Sequence, residues 1–271
     1  MRVIFNEEMK AVADDLDRMA QDVRKAINGA GDALMNADID KAQAVIDGDI
    51  EIDALESSIL DQCVRLLAKQ NPVATDLRVV VSTLRLASTF ERMGDLARHI
   101  AEAARRAYPQ NALPEESREI FTQMVAFLRN TADRIVDMLA DRDTKIAENI
   151  ILDDDKLDQL HHQTFELVLS DQWNGTKQQL IDVVLIGRFL ERLGDHAVSA
   201  ARRVVYIVSG FDPSKDPGRD EDTPVVDLRP KPLNSGCRQS DSERGGPASH
   251  MGARARLLFF AWLRVRTAAH V

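Results

Sequence analysis

Apolar side chains recur at three- and four-residue intervals through most of the first 210 positions. Met9, Val12, Leu16, Met19, Val23, Ile27 and Leu34 form one such row, and it predicts a first amphipathic helix over about 6 to 35. Asp38 restarts the pattern. A second helix follows through Val45, Ile46, Ile52, Leu55, Ile59, Cys63 and Leu66 to about Lys69. Asn71-Pro72 interrupts it and reads as the N-cap and first position of a third helix, which runs to Tyr108. Pro109 and Pro114 bracket a short connection, after which Glu115 and Glu116 suit the positive end of a helix dipole. Three more helices are then expected. They cover about 115 to 141, through Ile120, Met124, Phe127, Leu128, Ile135 and Leu139, then 144 to 171, then 176 to 209, with Gly210 as terminator. Trp173-Asn174-Gly175-Thr176 marks the last turn between helices, with Gly175 free to take positive φ.

Within the third and sixth helices the same pentapeptide appears, Glu91-Arg92-Met93-Gly94-Asp95 and Glu191-Arg192-Leu193-Gly194-Asp195. An apolar run precedes each copy, Val79 to Leu86 and Ile181 to Ile186, so the chain contains a tandem duplication. The fold expected is therefore all-α: two antiparallel three-helix bundles, over 1–110 and 111–211. Residues 212–271 hold six of the nine prolines and no sustained period, and they read as a disordered tail. Near its end Leu257 to Leu263 is flanked by Arg254, Arg256, Arg264 and Arg266, a basic apolar segment too short to span a bilayer. A non-functional extension is the simpler reading of it.

Composition agrees with a helical bundle: aromatics are 5% of the chain, while glycine and proline are rare before residue 211. The formal charge is -9, and the tail contributes ten Lys/Arg against eight Asp/Glu, so the rest is more acidic still. That balance argues against general nucleic-acid binding. Cys63 and Cys237 are the two cysteines, which implies no disulfide framework. The first residues lack the apolar core of a signal peptide, and no stretch before the tail is long enough to span a membrane. A cytoplasmic location is expected.

The repeated acids are the candidate chemistry. Residues four apart share a helix face, so Glu91 with Asp95, and Glu191 with Asp195, each present two carboxylates side by side. Both pairs are expected at the hydrated flank of the core stripe. The second helix of each half supplies a matching pair, Asp49 with Asp53 and Asp154 with Asp158. Two such pairs on facing helices repel unless a cation lies between them, and four carboxylates suit a hard, oxygen-preferring ion. The plainer alternative is a solvated face neutralised by Arg92, Arg192, Arg98 or Arg188, with each exposed pair contributing little. Gly94 and Gly194 bear on the choice, since a helix-interior glycine costs about 1 kcal/mol relative to alanine and implies close approach of a helix or a ligand.

These segments resemble the PhoU family of regulators of bacterial phosphate uptake. The resemblance covers about residues 1 to 210 and is most specific in Gln70 to Arg78, Phe90 to Ala97 and Arg188 to His196. It implies a tandem pair of three-helix bundles. It also implies metal-holding acidic motifs, with iron or zinc clusters in some members, at Asp49, Asp53, Glu91, Asp95, Asp154, Asp158, Glu191 and Asp195. It implies a cytoplasmic negative regulator of phosphate uptake and starvation signalling, acting on the phosphate-specific ABC transporter through its ATP-binding subunit and on a sensor histidine kinase. Membrane contact would come only through those partners, and helix surfaces of this type suit a homodimer.

Two other readings compete. Carboxylate-bridged metal pairs in helical bundles support storage or redox chemistry, but the nearest inward motif here is Asp158-x-x-His161, answered by Asp53-x-x-Glu56. His161, His162, His99 and His196 are more simply surface, capping or ion-pairing residues. A spectrin-like structural repeat would use the acids for solubility alone. No nucleophile, base and acid constellation is present, so the chain is not expected to be an enzyme.

Overall fold

The computed structural model describes residues 2–171 and 173–210 of the 271-residue chain. Six long helices account for most of them: α1 (Arg2–Asn36), α2 (Ile39–Gln70), α3 (Thr75–Ala107), α4 (Arg118–Asp141), α5 (Thr144–Leu169) and α6 (Lys177–Ser209). No strand occurs among the described residues. A 3-10 turn over Glu115–Ser117 leads into α4. The expected disordered tail over 212–271, with its apolar run at 257–263, lies outside the described residues.

Polar side chains set the helix ends. Asp38 accepts from the backbone N–H of Lys41 at 3.0 Å and starts α2, while Asp143 accepts from Lys145 N–H at 2.7 Å and starts α5. Thr176 and Gln179 close a reciprocal capping box at the head of α6. Gly210 ends that helix at φ 76, the left-handed region a residue without Cβ enters freely.

Two local expectations are corrected. Asn71 does not open α3 but closes α2, at φ 44 and ψ 55, and α3 begins only at Thr75. Asparagine tolerates the left-handed conformation of a helix terminus, and a proline directly after it stops the helix behind rather than starting the one ahead. Gly175 takes no positive φ. A Cβ there would collide with the indole of Trp173, so the position needs glycine for space rather than for dihedral freedom.

In each half three helices pack together: α1 against α2 and α3, then α4 against α5 and α6. The core is filled by Met19, Leu34, Ile52, Ile59, Phe90, Met93 and Ile100 in the first half and by Phe121, Met124, Leu128, Ile186 and Leu193 in the second. Burying each large side chain contributes about 1.5–3 kcal/mol. The halves meet along α3 and α6 and along α1 and α4. Buried Ala97, Ala101 and Ala104 on α3, and Ala197, Ala200 and Ala201 on α6, allow close helix approach.

The α3/α6 pair runs antiparallel, because Arg78 lies over the Tyr206 ring, His99 stacks on Phe189 and Arg106 binds Asp182. Along α1 and α4, Arg118 Nη2 donates to the Met35 carbonyl at 2.8 Å and Arg129 pairs with Asp32. The resulting unit is compact and all-helical.

Candidate functional site

The shared pentapeptide places a glycine on the buried face of α3 and of α6, and both glycines are crossing points. A Cβ at Gly94 would lie 3.0 Å from Ile52 Cδ1 and 3.3 Å from Asp49 Oδ1. At Gly194 it would collide with Leu157 and lie 3.7 Å from Asp154 Oδ1. The recurring glycine therefore serves approach of the second helix in each half. That approach brings Asp49 and Asp154, the leading acids of the second-helix pairs, over the pentapeptide acids.

In the first half the acids meet arginines. Arg98, one turn beyond Gly94, donates from Nε to Asp49 at 2.6 Å, from Nη2 to Asp95 at 2.7 Å and from Nη1 to Glu102 at 2.9 Å. Arg92 adds a 3.2 Å contact to Asp95 and a 3.4 Å contact to Glu91. Burial raises the carboxyl of Asp49, and the Arg98 hydrogen bond and charge oppose that shift. At Asp95 burial also pushes upward, but the hydrogen bond and charge of Arg98, with Arg92, outweigh it and the net shift is down. Burial raises Glu91 as well, against Arg92. The Arg98 guanidinium is held in its charged form, first by Asp95 and then by Asp49 and Glu102. Asp53 is exposed.

The second half differs in kind. Val198, buried, stands one hundred residues after Arg98. Asp154 is pushed up to about 6, by burial first and then by the charges of Asp158 and Asp195, with Arg202 opposing. Glu191 was expected at a hydrated flank, yet it is 3% exposed and pushed up to about 7, by burial and then by Asp195, although Arg188 pairs with it. The flank assignment fails because α5 lies closer over α6 than a one-helix projection can register. Asp195 itself is exposed and Asp158 half-buried.

Thus in each half the second-helix and pentapeptide acids lie within electrostatic reach of one another at one helix crossing, with Asp53 and Asp195 on its exposed edge. Among the described residues, no three His, Cys, Asp or Glu side chains converge closely enough to grip a metal ion. The first-half acids do not fit one as they stand, because a guanidinium already bridges two of them. The second-half acids also lie close to one another, with Arg188 paired to Glu191 and the Arg202 charge opposing the upward shift of Asp154, and they form no such group either.

Sequence reasoning named Arg98 only as a same-helix neighbour and missed its bond to Asp49, 49 positions away. It also missed Asp182, a buried acid in the apolar run before the second pentapeptide, paired with Arg106 and receiving Gln178 Nε2 at 3.1 Å. A lone Asp in such a run was the available signal. His161, read as a surface or capping residue, is in fact buried, edge-on to Phe165, and burial with the nearby Arg188 charge pushes it down to about 4.

Comparison with known proteins agrees with this architecture. The PhoU domain pattern matches twice, over residues 16–104 and 121–204. A "Phosphate-specific transport system accessory protein PhoU homolog 1" of Mycobacterium bovis is 35% identical over 216 residues, covering 80% of this chain and 98% of that protein. The crystal structure of PhoU from Pseudomonas aeruginosa superposes with a TM-score of 0.72 at 28% identity, over 76% of this chain and all of that one. The phosphate transport system regulatory protein PhoU from Streptococcus pneumoniae gives 0.68 at 25% identity, over 77% and 98%. The chain belongs to the PhoU family.

Proposed function

We propose that this PhoU-family chain is an accessory protein of phosphate transport that acts as a negative regulator of phosphate uptake and starvation signalling. In this reading it works in the cytoplasm as an adaptor between the ATP-binding subunit of a phosphate-specific ABC transporter and a sensor histidine kinase. The observation that carries the reading is the match of both repeats, in order and at nearly full length, to accessory proteins of phosphate-specific transport.

The surface is suited to docking. Ile181 and Leu185 on α6, and Leu77 and Val81 on α3, present exposed apolar rows at i and i+4 near the heads of the two antiparallel helices. The overall acid excess of the chain favours basic partner surfaces, where complementary charge sets encounter rate and partner choice more than final affinity. No helix among the described residues is long and apolar enough to cross a membrane, which accords with contact through partners. A homodimer formed through such rows belongs to the same reading, and no catalytic step is assigned to the chain.

The test is alkaline phosphatase activity in phosphate-replete cells lacking the gene. High activity that residues 1–211 repress supports regulation, whereas low activity in the null strain with no paralogue present counts against it.

A second reading concerns metal. The crowding of Asp154, Asp158, Glu191 and Asp195 favours a divalent or iron-type ion beside those oxygens, where the ion would supply charge compensation and fix α5 against α6. Metal analysis of the purified chain, with and without Asp154→Asn, tests it.

A further inference from the structure

We infer that the end of the seam formed by the head of α3 and the last turns of α6 is a docking surface for an acidic amphipathic helix of a protein partner. The inference deepens the adaptor reading by naming the chemistry that one partner presents, and it stands on the placement of arginine and apolar side chains.

The contacts of Arg78 with Gly210, His99 with Phe189 and Arg106 with Asp182 put α3 and α6 in one register, and that register sets Arg85 level with Arg203. Arg78 and Arg203 both lie against the Tyr206 ring, their guanidinium carbons 5.9 and 5.6 Å from its centroid. The surroundings are basic in a chain whose net charge is -9. From Leu77 to Phe90 and from His196 to Gly210 the sequence holds Arg78, Arg85, Arg202 and Arg203 and no acid. Asp76 stands two residues before Arg78 and so faces away from it around the helix.

The other end of the seam is neutralised internally. There Arg106 is held by the buried Asp182, whose counterpart in the first copy is Ser82. Ser82 is fully buried, and neither its Oγ nor the buried Nε of Arg78 has a hydrogen-bond partner among the described residues. The duplication has left an acid for the arginine at one end and a neutral hydroxyl at the other.

An apolar row runs beside the arginines. Leu77 and Val81, both exposed, are four residues apart, while Arg78 and Arg85 are seven apart, so the two rows occupy adjoining strips of one side of α3. The arginines are separated by about 10 Å along the axis. A partner helix with apolar side chains at four-residue spacing and carboxylates two turns apart on the next strip matches both rows at once. Apolar burial then supplies affinity, and arginine-carboxylate bonds fix the register. An anionic bilayer fits less well. It meets the field of the whole acidic chain, whereas a docked helix reads chiefly the charges within a Debye length of about 8–10 Å.

The test is fluorescence anisotropy of a labelled model peptide of about five helical turns, with leucines on one face flanked by glutamates, titrated with the full chain at low salt. A second peptide carries lysine for every glutamate, and vesicles of phosphatidylcholine with phosphatidylglycerol form a third arm. The glutamate peptide is expected to bind about tenfold more tightly than the lysine peptide. Arg85→Glu, at an exposed position, is expected to weaken the glutamate peptide by about tenfold, whereas Arg105→Glu, the same charge change at the far end of α3, moves it less than about twofold. Arg78→Gln, with helicity checked by circular dichroism, is expected to weaken it by about threefold.

Three outcomes overturn the inference. The glutamate peptide fails to bind more tightly than the lysine peptide, or Arg85→Glu and Arg105→Glu weaken it equally, or vesicle binding depends on Arg85 while peptide binding does not. The readout is binding by the purified chain, so it stands or falls separately from repression of alkaline phosphatase.

Discussion

Two helix crossings in this molecule carry the same pentapeptide and opposite solutions to the same electrostatic problem. At the first, the α2 and α3 acids are tied by Arg98 and Arg92, and Asp95 ends with its carboxyl below the ordinary range. At the second, Glu191 is buried and Asp154 sits beside further carboxylates, and both are pushed toward neutrality. The lesson is that a repeated motif specifies where charges are placed, while the residue one turn away specifies what neutralises them. The copies differ in where the arginine stands: Arg98 has Val198 as its counterpart, while Arg188, paired with Glu191, stands where the first copy has Ser88.

The largest expected effect comes from titrating the second crossing. His161, depressed from 6.5 to about 4, stabilises the fold above pH 6.5, and that contribution is lost as pH falls toward 4. Glu191, raised from 4.5 to about 7, acts in the opposite sense. Its protonated form is tolerated on burial, so stability is fully present below 4.5 and lost as pH rises through 7. Each shift corresponds to about 3 kcal/mol by linkage, so in the wild type they largely offset between pH 4.5 and 6.5. Urea midpoints measured across that window should fall steeply with acid in Glu191→Gln and rise with acid in His161→Gln. Parallel curves for all three proteins would show that the second crossing is as neutral as the first.

A smaller effect is expected at the seam between halves, whose two ends also differ. Arg106 reaches the buried Asp182 at one end, and at the other Arg78 lies 5.9 Å above the Tyr206 ring centroid. Arg106→Ala leaves the buried Asp182 carboxylate without its cation, with the Gln178 hydrogen bond remaining, and should cost about 2 kcal/mol, reduced from the fully buried case because the arginine is half exposed. Arg78→Ala should cost about 0.5–1 kcal/mol. Equal thermal melting temperatures for the two variants would remove the distinction between the ends.

The smallest effect separates two glycines. Gly94 sits under Ile52 and Asp49, whereas Gly48 on α2 has no neighbouring atom within 4 Å of where a Cβ would stand. Gly48→Ala should therefore stabilise by about 0.5–1 kcal/mol through helix propensity alone. Chemical denaturation should show that gain. Its absence would mean that the exposed face of α2 does more than the first crossing requires.

Much of this was legible in the sequence, and the limits fall at particular residues. The row from Met9 to Leu34 gave the first helix because side chains three and four apart share a face whatever they later pack against. Asp38, Thr176 and Gly210 marked helix ends through hydrogen bonds and dihedrals that span a few residues. Asn71 misled, because asparagine serves at either end of a helix and the choice depends on the chain's direction after Pro72. Gly94 and Gly194 were legible as close-approach positions, but not as helix crossings rather than ligand contacts. Glu191 was placed at a hydrated flank because a single helix projected alone has no neighbour to cover it.

What the sequence by itself determined was the duplication, the six helices and the pairing of acids along each helix, since all three follow from local spacing. Only the tertiary structure decided which charge met which acid. Arg98 reaches Asp49 across 49 positions, and Arg106 reaches Asp182 across 76. Such contacts depend on how closely α2 approaches α3 and on the antiparallel seam of α3 and α6. Those geometries are set by the summed packing of many small and apolar side chains, so no local pattern encodes them.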